Sequence, residues 1–151
     1  MADTNETIKA LNYLIGTCID GENGYREAAD EATSSDLKTR LMRLGQQRAQ
    51  FRGELEQEVL RLGGDPKESG SAGAALHRTW LNVRNAVAGK GDYAVVAEAE
   101  RGEDVAIQNY QDVLNDADLP ADLRAFVDGQ YAQVKASHDQ IRDLKHSMKP
   151  D

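Results

Sequence analysis

Two things are missing from this 151-residue sequence: a long hydrophobic run and a second cysteine. No stretch approaches the roughly 18 consecutive apolar residues that span a membrane. The opening Met1-Ala2-Asp3-Thr4-Asn5-Glu6 lacks the basic start and apolar core of a secretory signal. Cys18, the single cysteine, cannot form an intramolecular disulfide, which fits a reducing compartment, and a cytoplasmic location is expected. Aromatic residues make up only 5% of the chain, so a core must come from Leu, Ile, Val and Ala, and this favours helices over a β-sandwich. Positive charge is scarce: 18 basic against 26 acidic residues leave a formal charge of −8, which argues against nucleic acid or an anionic membrane surface as partner. Phosphate-binding glycine loops and nucleophile elbows are absent as well, so a non-enzymatic protein is expected. The length suits one domain, residues 1–151, large enough to bury a core.

What is present is helical periodicity. Asp3 or Thr4 caps a helix expected over about 5–32, where Ile8, Leu11, Ile15, Cys18, Glu22, Tyr25, Ala29 and Ala32 recur at steps of three and four. Thr33-Ser34-Ser35-Asp36 supplies a short capped turn, and a second helix over about 36–62 carries Leu37, Leu41, Leu44, Phe51, Leu55, Val59 and Leu62. Gly63-Gly64-Asp65-Pro66 stops it. After a small and polar connection, a shorter helix is expected over about 74–88, with Leu76, Trp80, Val83 and Val87 on one face and His77 and Arg78 beside it. Two further helices follow, over about 92–115 and 119–146, the last entered through Pro120. The expected architecture is all-α: an antiparallel four-helix bundle with a short crossover helix between its second and third long helices.

A polar residue interrupts three of the four long stripes near the middle: Glu22, Glu103 and Gln130. On the second helix Gln47 has the matching position, although Arg48 competes for it. Glu22 lies about eleven residues before the first turn and Gln47 about eleven after it, which sets them at one level of an antiparallel pair. Glu103 and Gln130 relate similarly across Pro120, so the four are expected to meet in one layer. A weak internal repeat supports this: Gly21-Glu22 matches Gly102-Glu103, and Gln47-Arg48-Ala49-Gln50 matches Gln130-Tyr131-Ala132-Gln133. The amides can donate hydrogen bonds to the buried carboxylates. The charge of those carboxylates still has to be offset by Arg48, by a proton, by water or by a single cation.

Asp20-Gly21 with Tyr25, Gln47-Arg48-Ala49, His77-Arg78-Thr79-Trp80, Gly102-Glu103-Asp104 and Gln130 together resemble a family of bacterial ferritin-like four-helix-bundle proteins of unknown function, over nearly the whole chain. In ferritin-like di-iron proteins two helices each give a Glu and the other two each give Glu-x-x-His. The resemblance puts Glu22 and Glu103 at the single glutamates, Gln47 and Gln130 where bridging glutamates would stand, and Gln50 and Gln133 where the histidines would stand. Only two carboxylates remain, and neutral amides ligate such cations poorly, so no ferroxidase centre is expected. No cofactor is expected; a single divalent cation on Glu22 and Glu103, supported by Gln47, Gln50, Gln130, Gln133 or His138, is the metal-binding alternative. The leading expectation is a non-enzymatic bundle with a vestigial Glu/Gln layer, stress-associated by analogy alone and compatible with a homo-oligomer. A partner-binding scaffold using the Trp80 helix is the third reading. Tyr25, Tyr110 and Cys18 read as core residues, and Glu27, Glu54 and Glu100 as solvated charges.

Overall fold

The computed structural model describes residues 3–70, 80 and 82–148. Five helices and no strand occur among these residues. Helix α1 (Thr4–Glu31) starts at Asp3, whose side chain accepts from the Asn5 backbone N–H at 2.9 Å. That bond satisfies one of the free amides at the helix start. Helix α2 (Ser35–Arg61) starts at Ser34, which accepts from the Leu37 N–H at 3.2 Å. It ends where Gly63 takes φ +84° and the Gly64 N–H returns to the Val59 carbonyl, a closure that the left-handed conformation of Gly63 makes possible. Helix α3 (Val83–Val87) is short. Helices α4 (Asp92–Asp116) and α5 (Ala121–Ser147) complete the chain, with Pro120 immediately before α5.

The four long helices fall within a few residues of their expected limits; the crossover helix does not. Its expected span began at residue 74, whereas the helix starts only after Asn82, which adopts a left-handed φ of 55°. A helix cannot run through such a residue. Trp80 therefore sits in non-helical chain. Leu76, His77, Arg78 and the rest of 71–79, with residue 81, lie outside the described residues.

Helix α1 packs along α2, and α4 along α5, while α1 and α4 join the two pairs. Within each pair the chains run in opposite directions: Glu22 meets Arg52 and Ala29 meets Lys38, while Tyr110 meets Gln130 and Glu100 meets Lys145. Helix α3 rests on α1 and α4. No helix among the described residues is long and apolar enough to cross a membrane.

The core is divided. One hydrophobic cluster holds Leu11, Leu14, Ile15 and Cys18 of α1, Phe51, Leu55 and Val59 of α2, Tyr110 of α4 and Val127 and Val134 of α5. The other holds Tyr25 and Ala28, Leu37 and Leu41, Trp80, Val95, Val96 and Ala99, and Ile141. Full burial of one such Leu or Ile contributes about 1.5–3 kcal/mol, so each cluster is a strong packing unit. Between them, every long helix offers a small or polar residue: Gly21, Arg48, Glu103 and Ser137.

Candidate functional site

Arg48 and Glu103 fill the division between the clusters. Nη2 of Arg48 lies 2.6 Å from Oε1 of Glu103, with the side chains 2% and 0% exposed. The approach is close but off the hydrogen-bond axis. Arg48 Nη2 and both Glu103 oxygens have no well-directed hydrogen bond among the described residues. Taking two charges out of water costs several kcal/mol each, and their mutual attraction is the main term that offsets that cost. Burial alone would push the Arg48 guanidinium down, but the Glu103 carboxylate more than compensates and holds it above its ordinary range. The arginine thus stays charged inside the protein.

Glycines make room for it. A Cβ on Gly21 would stand 3.1 Å from Cγ of Arg48, so the absence of a side chain there lets the arginine stem lie close against α1. Tyr25 stands over the guanidinium, with Cζ of Arg48 5.7 Å from the ring centroid, within cation–π reach. Burial, and next the neighbouring Glu103 carboxylate, hold the Tyr25 phenol well above its usual range. Trp80 closes this side. Its ring meets that of Tyr25 edge-on at 4.8 Å, and its indole N–H donates to Oε2 of Glu98 at 3.1 Å. A Cβ on Gly24 would fall 2.7 Å from the indole and one on Gly102 2.2 Å, so both helices are notched to seat it. Trp80 is buried within its own bundle.

The four residues expected to hold one another take separate partners. Glu22 is half-buried and accepts from Arg52 at 3.0 and 3.3 Å. Gln47 lies beside the layer; its Oε1 accepts from Nε of Arg48 at 3.3 Å and from the Ser137 hydroxyl at 3.1 Å. Gln130 lies deeper, in the cluster that contains Cys18. Its carbonyl accepts from the Tyr110 hydroxyl at 2.8 Å, and its amide donates to the Phe51 carbonyl and to Glu54. Ser137, not Gln130, is therefore the α5 residue at the level of the ion pair. Gln50 and Gln133 are exposed, and Gln50 donates to Glu54. His138 meets Asp104 at 2.8 Å and Asp139 at 3.4 Å near the surface. Among the described residues no three His, Cys, Asp or Glu side chains gather as a metal would need.

A family model for a domain of unknown function, DUF2383, matches residues 6–116. The chain belongs to that family. No curated protein matches it. The matched part of this DUF2383 domain contains α1, α2 and α4, and so both members of the ion pair and the glycines around them.

A second buried chain of polar contacts runs below the ion pair, from the matched residues to α5. Sγ of Cys18 lies 3.5 Å from the Tyr110 hydroxyl, which donates to Gln130. Burial pushes the Cys18 thiol up to about 11, and burial with the adjacent thiol holds the Tyr110 phenol well above its usual range. Neither group is activated as a nucleophile or acid. Sequence reasoning reached Glu103, Tyr25 and Gln130 as buried residues, but gave Arg48 only as a competitor of Gln47 and overlooked Gly24 and Arg52. Gly21, facing a helix whose stripe contains an arginine, was the available signal.

Proposed function

We propose that the chain is a non-enzymatic, ferritin-like antiparallel four-helix bundle in which an internal guanidinium takes the place of the metal centre, and that it serves as a structural or binding module. The observation that carries this reading is the Arg48–Glu103 contact of 2.6 Å between side chains withdrawn from water. In a carboxylate bundle the inward glutamates require cations, and a metal supplies them. Here Arg48 supplies the positive charge covalently. A metal entering this layer would meet a fixed cation, one carboxylate already engaged and the amide of Gln47, a donor set that suits neither an iron pair nor zinc. Glu22 is turned to Arg52, and His138 to Asp104, which supports the same conclusion. The two oppositely directed helix pairs, their junction along α1 and α4 and the crossover over that junction support the bundle assignment. A buried lone thiol supports the cytoplasm as its location.

Elemental analysis of the chain purified without an affinity tag tests the reading. The expected result is no stoichiometric first-row metal, and no uptake of oxygen when ferrous iron is added. A stoichiometric ion that disappears in a Glu22→Ala, Glu103→Ala double variant would overturn it.

A further inference from the structure

The four long helices are not held equally. The stripe of α5 buries four aliphatic side chains, Leu123, Val127, Val134 and Ile141, and interrupts them with two polar ones, Gln130 and Ser137. Pro120 stands before it, so no side chain caps its first amides as Asp3 and Ser34 do for α1 and α2. Among the long helices only α4 runs close along α5. On the α2 side, side chains bridge a wider seam, from Gln130 to Phe51 and Glu54 and from Ser137 to Gln47. Water replaces such hydrogen bonds at low net cost once the seam parts, so they resist opening less than packed aliphatic contacts would.

The strongest ties between the two helix pairs bypass α5. Arg48 of α2 meets Glu103 of α4, Trp80 is seated between Gly24 of α1 and Gly102 of α4, and Asp92 of α4 holds the turn after α1 at Thr33 and Ser34. The core cluster that contains Trp80 takes only Ile141 of its buried residues from α5. The other cluster depends on α5 more: Leu123, Val127 and Val134 belong to it, together with Cys18 of α1 and Tyr110 of α4. The Tyr110 hydroxyl donates to Gln130 and lies 3.5 Å from Sγ of Cys18, so the phenol joins the thiol to α5. Segments with few buried apolar contacts open as units before a whole protein unfolds. A helix that leaves its bundle also loses its shape, since isolated helices are marginal in water. We propose that α5 opens as one unit while α1, α2 and α4 stay packed, and that this opening, rather than global unfolding, brings the buried Cys18 thiol into contact with solvent. While α5 is closed, burial holds the thiol at about 11 and keeps it inert near neutral pH.

Two measurements on the full chain without denaturant test this: amide hydrogen exchange followed by NMR, and labelling of Cys18 by iodoacetamide followed by mass spectrometry. Amides in the middle of α5, residues 127–141, should be at least about tenfold less protected than the slowest amides of α1, α2 and α4. The thiol should be labelled at least about tenfold faster than the global unfolding equilibrium allows. Glycine substitutions at two exposed positions separate local from global opening. Ala136→Gly weakens α5 itself and should speed labelling about fivefold, the equivalent of its roughly 1 kcal/mol loss of helix propensity. Gln46→Gly weakens α2 on the groove it forms with α1. It should lower the urea midpoint yet leave labelling unchanged, because α2 remains folded while α5 is open. Protection of α5 equal to that of the other helices, labelling no faster than global unfolding, or equal labelling rates in the two variants would each overturn the proposal.

Discussion

The energetics of Arg48 and Glu103 are asymmetric. Removing one partner leaves the other as a buried, uncompensated charge, whereas removing both takes away the desolvation cost along with the attraction. Arg48→Met should therefore lose about 3–5 kcal/mol of stability, and Glu103→Leu a similar amount. The double variant should lose far less than the sum, because well-packed apolar residues often replace a buried ion pair at little cost. Urea unfolding followed by far-ultraviolet circular dichroism measures all three, and simple additivity would show that the pair is not coupled. The same residues explain what the sequence disclosed. Glu103 lies on a regular apolar stripe and was recognisable as buried. Glu22 was not distinguishable from it, since residues three and four positions after Cys18 both fall within the stripe. Gly21 is the one turned inward, and a glycine contributes nothing to a hydrophobic pattern. The internal repeat is thus only half functional: Gly21 and Gly102 both admit a large side chain, while Glu22 and Glu103 have different environments.

At the scale of elements, the long helices were readable because their caps are chemical: Asp3, Ser34, Gly63 and Pro120 stand where the boundaries fall. The crossover was less legible. Trp80, Val83 and Val87 are spaced as a helical face and are all buried, but Asn82 breaks the helix between them. Burial periodicity alone cannot reveal a left-handed residue. How Trp80 is seated gives a prediction with opposite signs at two kinds of glycine. In a helix interior Ala is favoured over Gly by about 1 kcal/mol. At Gly129 of α5 a new Cβ meets nothing within 4 Å, so Gly129→Ala should raise stability by up to about 1 kcal/mol. At Gly102 the Cβ would meet the rigid indole at 2.2 to 2.5 Å, so Gly102→Ala should lower it by about 1–3 kcal/mol despite the better propensity. Thermal unfolding compares the two, and emission from Trp80 should shift to the red only in Gly102→Ala. Equal gains in stability would mean that the indole does not occupy the notch.

On the scale of the whole molecule, the two helix pairs must stay in register, and one carboxylate ties them at the end that carries the first turn. Asp92, the first residue of α4, accepts from the Thr33 N–H at 2.7 Å, the Thr33 hydroxyl at 3.0 Å and the Ser34 N–H at 3.0 Å. It joins the start of the second pair to the loop of the first, a contact no local pattern could announce because its partners are 58 and 59 residues apart. Burial pushes the Asp92 carboxyl up, but the hydrogen bonds from Thr33 and Ser34, with the charge of Lys38, outweigh it and hold the group below its ordinary value. A carboxyl whose folded value is lowered contributes stability that is present above its unfolded value and is lost as pH falls through the folded one. Asp92→Asn should accordingly cost about 1 kcal/mol at pH 7, the size of a charge-assisted contact discounted for its partial exposure. The gap between wild type and variant should begin to close as pH drops below roughly 4, the ordinary carboxyl value, and shrink further as pH falls through the lower folded value of Asp92. Chemical unfolding of both proteins at pH 7 and pH 3 decides the matter: a gap that stays constant or widens in acid would show that the charge of Asp92 does not hold the pairs together.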